Sequence, residues 1–182
     1  MQNMALRSLD WDGIAVFLLA VGIYVNTLGH GFVYDDNRAI LTNPDVQASS
    51  QLTDVFHNDF WGIPLSSSNS HGSYRPLCTL SYRLNHWISG FQPFGFHLIN
   101  ILLHGLASVL VLKTGRTLLQ GRSSTVAAVL FAVHPIHVEA VTGLVGRADV
   151  LSSVFYLISF LCYLKHVQVR DSLGFNNLPI TT

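Results

Sequence analysis

The residues best equipped for chemistry are few, and they are acidic. Asp35 and Asp36 stand side by side, with Arg38 two positions on. Two adjacent carboxylates repel one another and are costly to desolvate, so something must reward the pairing. A carboxylate there could serve as a general base toward a hydroxyl or hold a divalent cation. Asp-Asp-Asn is equally good turn chemistry, and an ordinary Asx turn accounts for the dipeptide taken alone. The second acidic position is Glu139, the only glutamate of the chain, followed by Arg147 and Asp149. These three are the only charges between Ser123 and Leu164. Ionisable residues at the edge of an apolar segment mark a functional site by default. The alternative is an internal pair, Glu139–Arg147 or Asp149–Arg147, that merely closes a turn. His134 and His137 are three apart and share a helical face, but Glu139 lies off that face and the zinc pattern His-Glu-x-x-His is absent. Hydrogen bonding to structure or substrate is the expected work of His137. His97, Asn100 and His104 form a polar stripe expected to face other helices.

The elements that must position these residues follow from a shortage of charge. Of 182 residues only 20 are Asp, Glu, Lys or Arg, ten of each sign, and 49% are apolar. A soluble domain of this size carries about 45 charges at the usual quarter of the chain. Disorder, nucleic-acid binding and an ordinary soluble enzyme are therefore disfavoured. Cys78 and Cys162 cannot build a disulfide framework. Four charge-poor apolar stretches, 13–29, 96–112, 123–138 and 149–164, are predicted to be transmembrane helices. Seventeen helical residues reach roughly 26 Å, close to a bilayer core. The predicted fold is an all-α polytopic membrane protein. Lys113, Arg116 and Arg122, then Lys165 and Arg170, put the second connection and the chain after the fourth helix in the cytoplasm. The amino terminus is then cytoplasmic as well, and residues 30–95 lie on the far side. Ala20-Val21-Gly22 would also suit a cleaved signal peptide, which leaves that side unchanged. The loop 30–95 is rich in aromatics and turn residues. Two short helices are expected in it, at Leu52–Phe60 and at Leu77–Ile88, the latter lying along the membrane with Trp87 at the interface. Ser66–Ser70 reads as a mobile tip, and 167–182 as an unpatterned tail.

Five motifs occur in order at these helix ends: Tyr34-Asp35-Asp36, Tyr74-Arg75-Pro76-Leu77, His97-Leu98-Ile99-Asn100 with His104, His134-Pro135-Ile136-His137-Val138-Glu139-Ala140-Val141, and Gly146-Arg147-Ala148-Asp149. Together they resemble the amino-terminal part of the transmembrane and tetratricopeptide-repeat-containing O-mannosyltransferases. The resemblance covers roughly residues 12–166. It implies residues 1–166 as part of a GT-C-like membrane domain in the endoplasmic reticulum. It implies transfer of mannose from dolichyl phosphate mannose to Ser or Thr of secretory-pathway proteins such as cadherins. Asp35 or Asp36 would take the proton of the attacking hydroxyl. Arg75 and Arg147, with Arg38 third, would hold the lipid phosphate; His137 and Asp149 would line the substrate site. Glu139 or Asp149 would supply a second acidic motif. A divalent metal is compatible with this set, and no cofactor is assigned. Members of the family are longer and carry a repeat array of which this chain shows no trace, so an incomplete form is expected. The competing expectation is a non-catalytic membrane interaction protein that pairs with a longer partner. A small transporter would need its charges at mid-membrane rather than at helix ends.

Overall fold

The structure, a computed structural model, describes residues 9–47 and 49–172. Six α-helices follow one another: α1 (Trp11–Gly22), α2 (Pro76–Ser89), α3 (Pro93–Leu118), α4 (Ser123–Val133), α5 (His137–Thr142) and α6 (Arg147–Ser172). No strand occurs among the described residues. Two helices are long and apolar enough to cross a membrane, Pro93–Leu118 and Leu144–Ser172, the latter counted from the 3-10 turn that leads into α6. Both outrun the expected spans, because Lys113, Arg116 and Lys165 are good helix formers and nothing in the backbone stops the helix at them. At 26 residues each they reach about 39 Å, more than a bilayer core. Helix α6 also takes in 167–172 of the expected tail; the remainder of that tail lies outside the described residues.

The other two expected spans are shorter as α-helices, at 12 and 11 residues. Helix α1 ends at Gly22, and the chain continues through a turn into a 3-10 helix, Val25–Gly29. Helix α4 stops at Val133 instead of Val138. His134 there is extended (φ −67°, ψ 129°), because a residue that precedes proline avoids the helical region and Pro135 follows. The chain then restarts as α5, which carries Glu139.

Helices α1 and α4 run antiparallel to α3, and α6 runs parallel to it. Arg116 near the end of α3 forms a two-pronged pair with Asp10 at the start of α1 (2.7 and 2.9 Å) and reaches Asp12 at 3.3 Å. That pairing holds the Asp10 carboxyl down at about 2, helped by the Gly13 N–H it caps. Midway, Gly105 lets Phe17 of α1 lie where a Cβ would meet it at 2.7 Å. At Gly115 a Cβ would meet the Cβ of Ser124 at 3.0 Å and its Cα at 3.2 Å. Small residues at crossings of this kind permit close helix contact in an apolar medium. Near the start of α3, His97, Asn100 and His104 are all buried, facing the neighbouring helices as their spacing predicts.

Between α1 and α3 the chain builds a compact cap on the end of the bundle where α3 and α6 begin. Its core is Ala39, Ile40, Val46, Phe60, Cys78 and Tyr82, packed on Phe96 of α3 and on Leu144. The expected helix Leu77–Ile88 is α2, opened by Pro76, whose fixed φ suits a first helical position. The expected helix Leu52–Phe60 is only a 3-10 turn, Leu52–Phe56. Beyond it the Asn58 amide turns back to both carboxylate oxygens of Asp45 at 3.0 Å. Asp59 collects four hydrogen bonds, from the N–H groups of Trp61, Ile63 and His71 and the Ser70 hydroxyl (2.8–3.1 Å). Side chains that bond the local backbone in this way compete with helix. They also tie the serine-rich tip down at Ser70.

Candidate functional site

The two acidic positions meet at the bundle end. A cavity of about 260 Å³ is lined by Asp35 and Asp36 from the first loop, Arg75 from the start of α2, Glu139 from α5 and Asp149 from α6. Val33, Tyr34, Gly143, Val145 and Gly146 complete its lining. Four carboxylates and one guanidinium thus share one concave surface.

The local backbone explains how each arrives. Tyr34 adopts φ +36°, a left-handed conformation costly for any residue but glycine and frequent at functional sites. The turn it makes brings the Val33 N–H onto Asp36 Oδ2 at 2.9 Å, and the Val145 N–H faces the same carboxylate. Asp36 is therefore buried, with only 2% of its surface exposed, and couples the first loop to the α5–α6 connection. Burial pushes its carboxyl above the ordinary range, against the pull of those two N–H groups. Asp35 is the exposed member of the pair, free to meet a ligand.

Glu139 is positioned by two glycines. A Cβ on Gly146 would lie 2.5–2.8 Å from the Ala140 backbone, and one on Gly143 would lie 2.9 Å from the Glu139 carbonyl oxygen. Only bare backbone lets α5 fold onto the connection so closely. Arg75 is held by its ring neighbour: its guanidinium carbon lies 4.9 Å from the centre of the Phe60 ring, a cation–π arrangement.

Three expected site residues lie elsewhere. Arg147 is fully buried and turned inward. Its Nε donates to Asn100 Oδ1 (2.7 Å), Nη2 to the Phe96 carbonyl (2.9 Å) and Nη1 to Ser81 Oγ (3.3 Å). Its plane lies over Tyr82 and Phe96, at 4.6 and 5.6 Å. Neither Glu139 nor Asp149 forms an ion pair with it. Arg147 is thus a clamp beneath the cavity: it fixes the first turn of α6, which carries Asp149, onto α2 and α3. Asn100 completes the clamp by donating to the Gly143 carbonyl at 3.2 Å. His137 lies off the cavity wall, packed on Phe131 and His104 with ring centres 4.3 and 5.2 Å apart. Arg38 lies over Trp61, away from the carboxylates. Among the described residues, no three of His, Cys, Asp and Glu converge closely enough to hold a metal ion.

A second hollow of about 390 Å³ adjoins the first and shares Arg75 and Asp149 with it. Its other walls are largely apolar: Leu77, Cys78, Leu151 and Phe155, the last two on the membrane-length helix α6. A polar chamber thus opens beside an apolar one, with a guanidinium at the junction. That arrangement suits an amphiphile with an anionic group between a polar head and an apolar tail.

Sequence comparison places this chain among curated proteins of one kind. It is 52% identical over 176 residues to protein O-mannosyl-transferase Tmtc2 of Drosophila melanogaster, covering 94% of this chain and 19% of that protein. It is 52% identical over 153 residues to human protein O-mannosyl-transferase TMTC2, covering 84% and 18%. With human TMTC4 the identity is 45% over 179 residues, covering 90% and 24%. The chain spans about a fifth of the length of the relatives it matches. No family model and no solved structure matches it.

Proposed function

The chain belongs to the TMTC family of protein O-mannosyl-transferases, and from that membership and the chemistry of the cavity we propose that it forms the acidic catalytic chamber of a mannosyltransferase in the endoplasmic reticulum membrane. The donor is dolichyl phosphate mannose. The acceptor is a Ser or Thr hydroxyl of a secretory-pathway protein, cadherins being the expected class. On this reading the fold is GT-C-like, with α1, α3, α4 and α6 as four membrane passages and the cap in the lumen.

The supporting observation is the meeting of Asp35, Asp36, Glu139, Asp149 and Arg75 around one cavity beside an apolar groove. The acceptor oxygen attacks the anomeric carbon of mannose, and the bond from that carbon to the phosphate oxygen breaks, inverting the centre. Asp35, exposed on the cavity wall, takes the hydroxyl proton. Positive charge develops on the sugar ring in the transition state, and Asp36 and the second acidic residue, Glu139 or Asp149, stabilise it. Arg75 at the junction of the two hollows holds the departing phosphate, and the lipid tail lies along Leu77, Leu151 and Phe155.

The test is Asp35→Asn in microsomes supplied with the mannosyl lipid and a Ser/Thr acceptor. Transfer should fall by about 10²-fold or more, the usual worth of a positioned base, while the protein still inserts and folds. Unchanged transfer sinks the assignment.

A second reading has one observation in its favour. Of α6 only Arg147, Val150 and Val154 are buried, which leaves most of a membrane-length helix uncovered by this chain. On that reading the protein is a non-catalytic partner of a longer membrane protein. It then shows no transfer when expressed alone and is recovered in a stable complex after detergent extraction.

A further inference from the structure

We propose that the ring of Tyr34 is the stacking face for the mannose of the donor lipid and holds that sugar in front of Asp35. The assignment rests on the proposed function and gives one further residue of its site a contact with substrate. Tyr34 stands at the first central position of a four-residue turn, 33–36. The turn is closed twice: the Asp36 N–H donates to the Val33 carbonyl (2.8 Å), and the Val33 N–H donates to Asp36 Oδ2 (2.9 Å). The Tyr34 carbonyl accepts from both the backbone N–H and the side-chain amide of Asn37 (3.3 and 3.4 Å). These bonds hold Tyr34 at φ +36°. A positive φ at this place in a turn is ordinarily left to Gly, Asn or Asp. The strain of a tyrosine there is not offset inside the protein. Its side chain is the most exposed large apolar one among the described residues, at 90%, and gains almost no packing from the fold. A strained residue whose side chain does nothing for the fold points to a task outside it.

The surroundings identify the ligand. Tyr34 lines the same cavity as Asp35, Asp36, Glu139, Asp149 and Arg75. Carboxylates accept hydrogen bonds from hydroxyl groups. An aromatic face takes the C–H face of a sugar ring, through dispersion and through the negative charge of its π cloud. A neutral ring that is polar at its edge and apolar on its face uses both. A free anion is repelled by the four carboxylates and makes no use of the aromatic face. At about 260 Å³ the cavity is smaller than the ~300–1,000 Å³ of sites for drug-sized ligands, so it takes one sugar rather than a length of acceptor chain. Arg75 then distinguishes the donor from a free sugar. It lines both this cavity and the apolar hollow beside Leu77, Leu151 and Phe155. A lipid phosphate held at Arg75, with its tail in the apolar hollow, leaves its sugar in the polar one with Tyr34. Stacking restricts the sugar to one plane. Asp35 follows Tyr34 directly in the same turn, so the reacting carbon is held close to the residue that receives the acceptor proton.

The experiment measures binding of radiolabelled dolichyl phosphate mannose and of dolichyl phosphate to the full chain purified in detergent. The ratio of the two affinities isolates the sugar. The unaltered chain should prefer the mannosylated lipid. Tyr34→Gly should cut that preference by about 3- to 10-fold, the usual worth of one aromatic contact, with binding of dolichyl phosphate unchanged. Glycine is at ease at a positive φ, so this variant should melt no lower than the unaltered chain. Tyr34→Phe keeps the face without the hydroxyl and should keep the preference. Tyr163→Ala removes another exposed ring, well along α6, and should keep it too. An unchanged preference in Tyr34→Gly overturns the proposal, also where that variant binds a Ser/Thr acceptor domain less well, since the ring then meets the acceptor. Loss of the preference in Tyr34→Phe or in Tyr163→Ala overturns it. So does a Tyr34→Gly chain that melts lower and loses both lipids equally, because the ring then serves the fold. Failure of the proposed function looks different. An unaltered chain that binds neither lipid removes that function and this contact together, whereas one that binds both lipids alike removes the contact alone. None of these results requires the chain to transfer mannose.

Discussion

At the scale of single residues, each carboxylate of the cap has a distinct environment, and the environment decides its use. Asp59 is the structural extreme. Burial alone would raise its carboxyl, but hydrogen bonds from the Ile63, Trp61 and His71 N–H groups and the Ser70 hydroxyl outweigh this and hold it below the ordinary value. A carboxyl depressed in the folded state contributes stability that is present above its unfolded value. That stability is lost as the pH falls through the folded one. The loop 57–73 should therefore keep its protection from hydrogen exchange at neutral pH and lose it in acid below the normal aspartate range of 3.8. Asp59→Asn keeps one oxygen for Trp61 and Ile63 but turns an amide donor toward the His71 N–H and Ser70. The cost is about 1–3 kcal/mol for a buried donor left unpaired, read as a lower Tm in detergent and faster proteolysis near Ser66–Ser70. Asp36 has the opposite sign. Its raised carboxyl binds a proton more readily in the folded protein, so its ionised form weakens the fold as the pH rises through that value. The protein tolerates this beside the cavity, where an ionised carboxylate is what the proposed chemistry uses.

At the scale of elements, the position of α6 depends on one buried cation. Arg147 joins the first turn of α6 to Asn100 and Phe96 of α3 and to Ser81 of α2. Lysine carries the same charge but a single point donor, so it cannot reach three acceptors in the plane of a guanidinium. Arg147→Lys should cost about 2–4 kcal/mol, the range for breaking a buried charged hydrogen-bond network. Thermal unfolding in detergent measures it, with Asp35→Asn as a control of unchanged stability. A residue that held substrate phosphate from the cavity wall would give the reverse pattern, a stable protein with a raised KM. The clamp is also where local sequence ceases to be informative. The scarcity of charge made Asp35, Asp36, Glu139, Arg147 and Asp149 visible as a group. Whether a charge at a helix start points into a cavity or into the protein depends on residues distant in the chain. Arg147 finds Asn100 47 positions away, and no local pattern announces that pairing. The helices were legible for the same reason as the charges, since apolar runs are long. Their ends were less so: Pro135 stops α4 at Val133, whereas the charge-free run continues to Val138. The left-handed Tyr34 and the backbone contact that requires Gly146 leave no sequence signature of their own.

At the scale of the molecule, orientation decides whether the cavity can meet a secretory acceptor at all. The cap, the cavity and the starts of α3 and α6 share one end of the bundle, and the Asp10–Arg116 pair marks the other. If the basic residues from Lys113 to Arg122 face the cytoplasm, the whole acidic chamber faces the lumen as a unit. The chain carries no Asn-x-Ser/Thr triplet, so each glycan added to it reports an introduced site. His71→Thr completes a triplet that starts at Asn69, an exposed residue of the cap. Leu178→Thr completes one that starts at Asn176, beyond α6. In cells, the first variant should gain an endoglycosidase-sensitive shift in mobility and the second should not. The opposite pattern would turn the chamber toward the cytoplasm, away from any secretory acceptor, and remove the proposed function together with the topology. A shift in both variants would mean that α6 does not cross the membrane. The apolar face it shares with Leu77 would then need a protein cover instead of lipid.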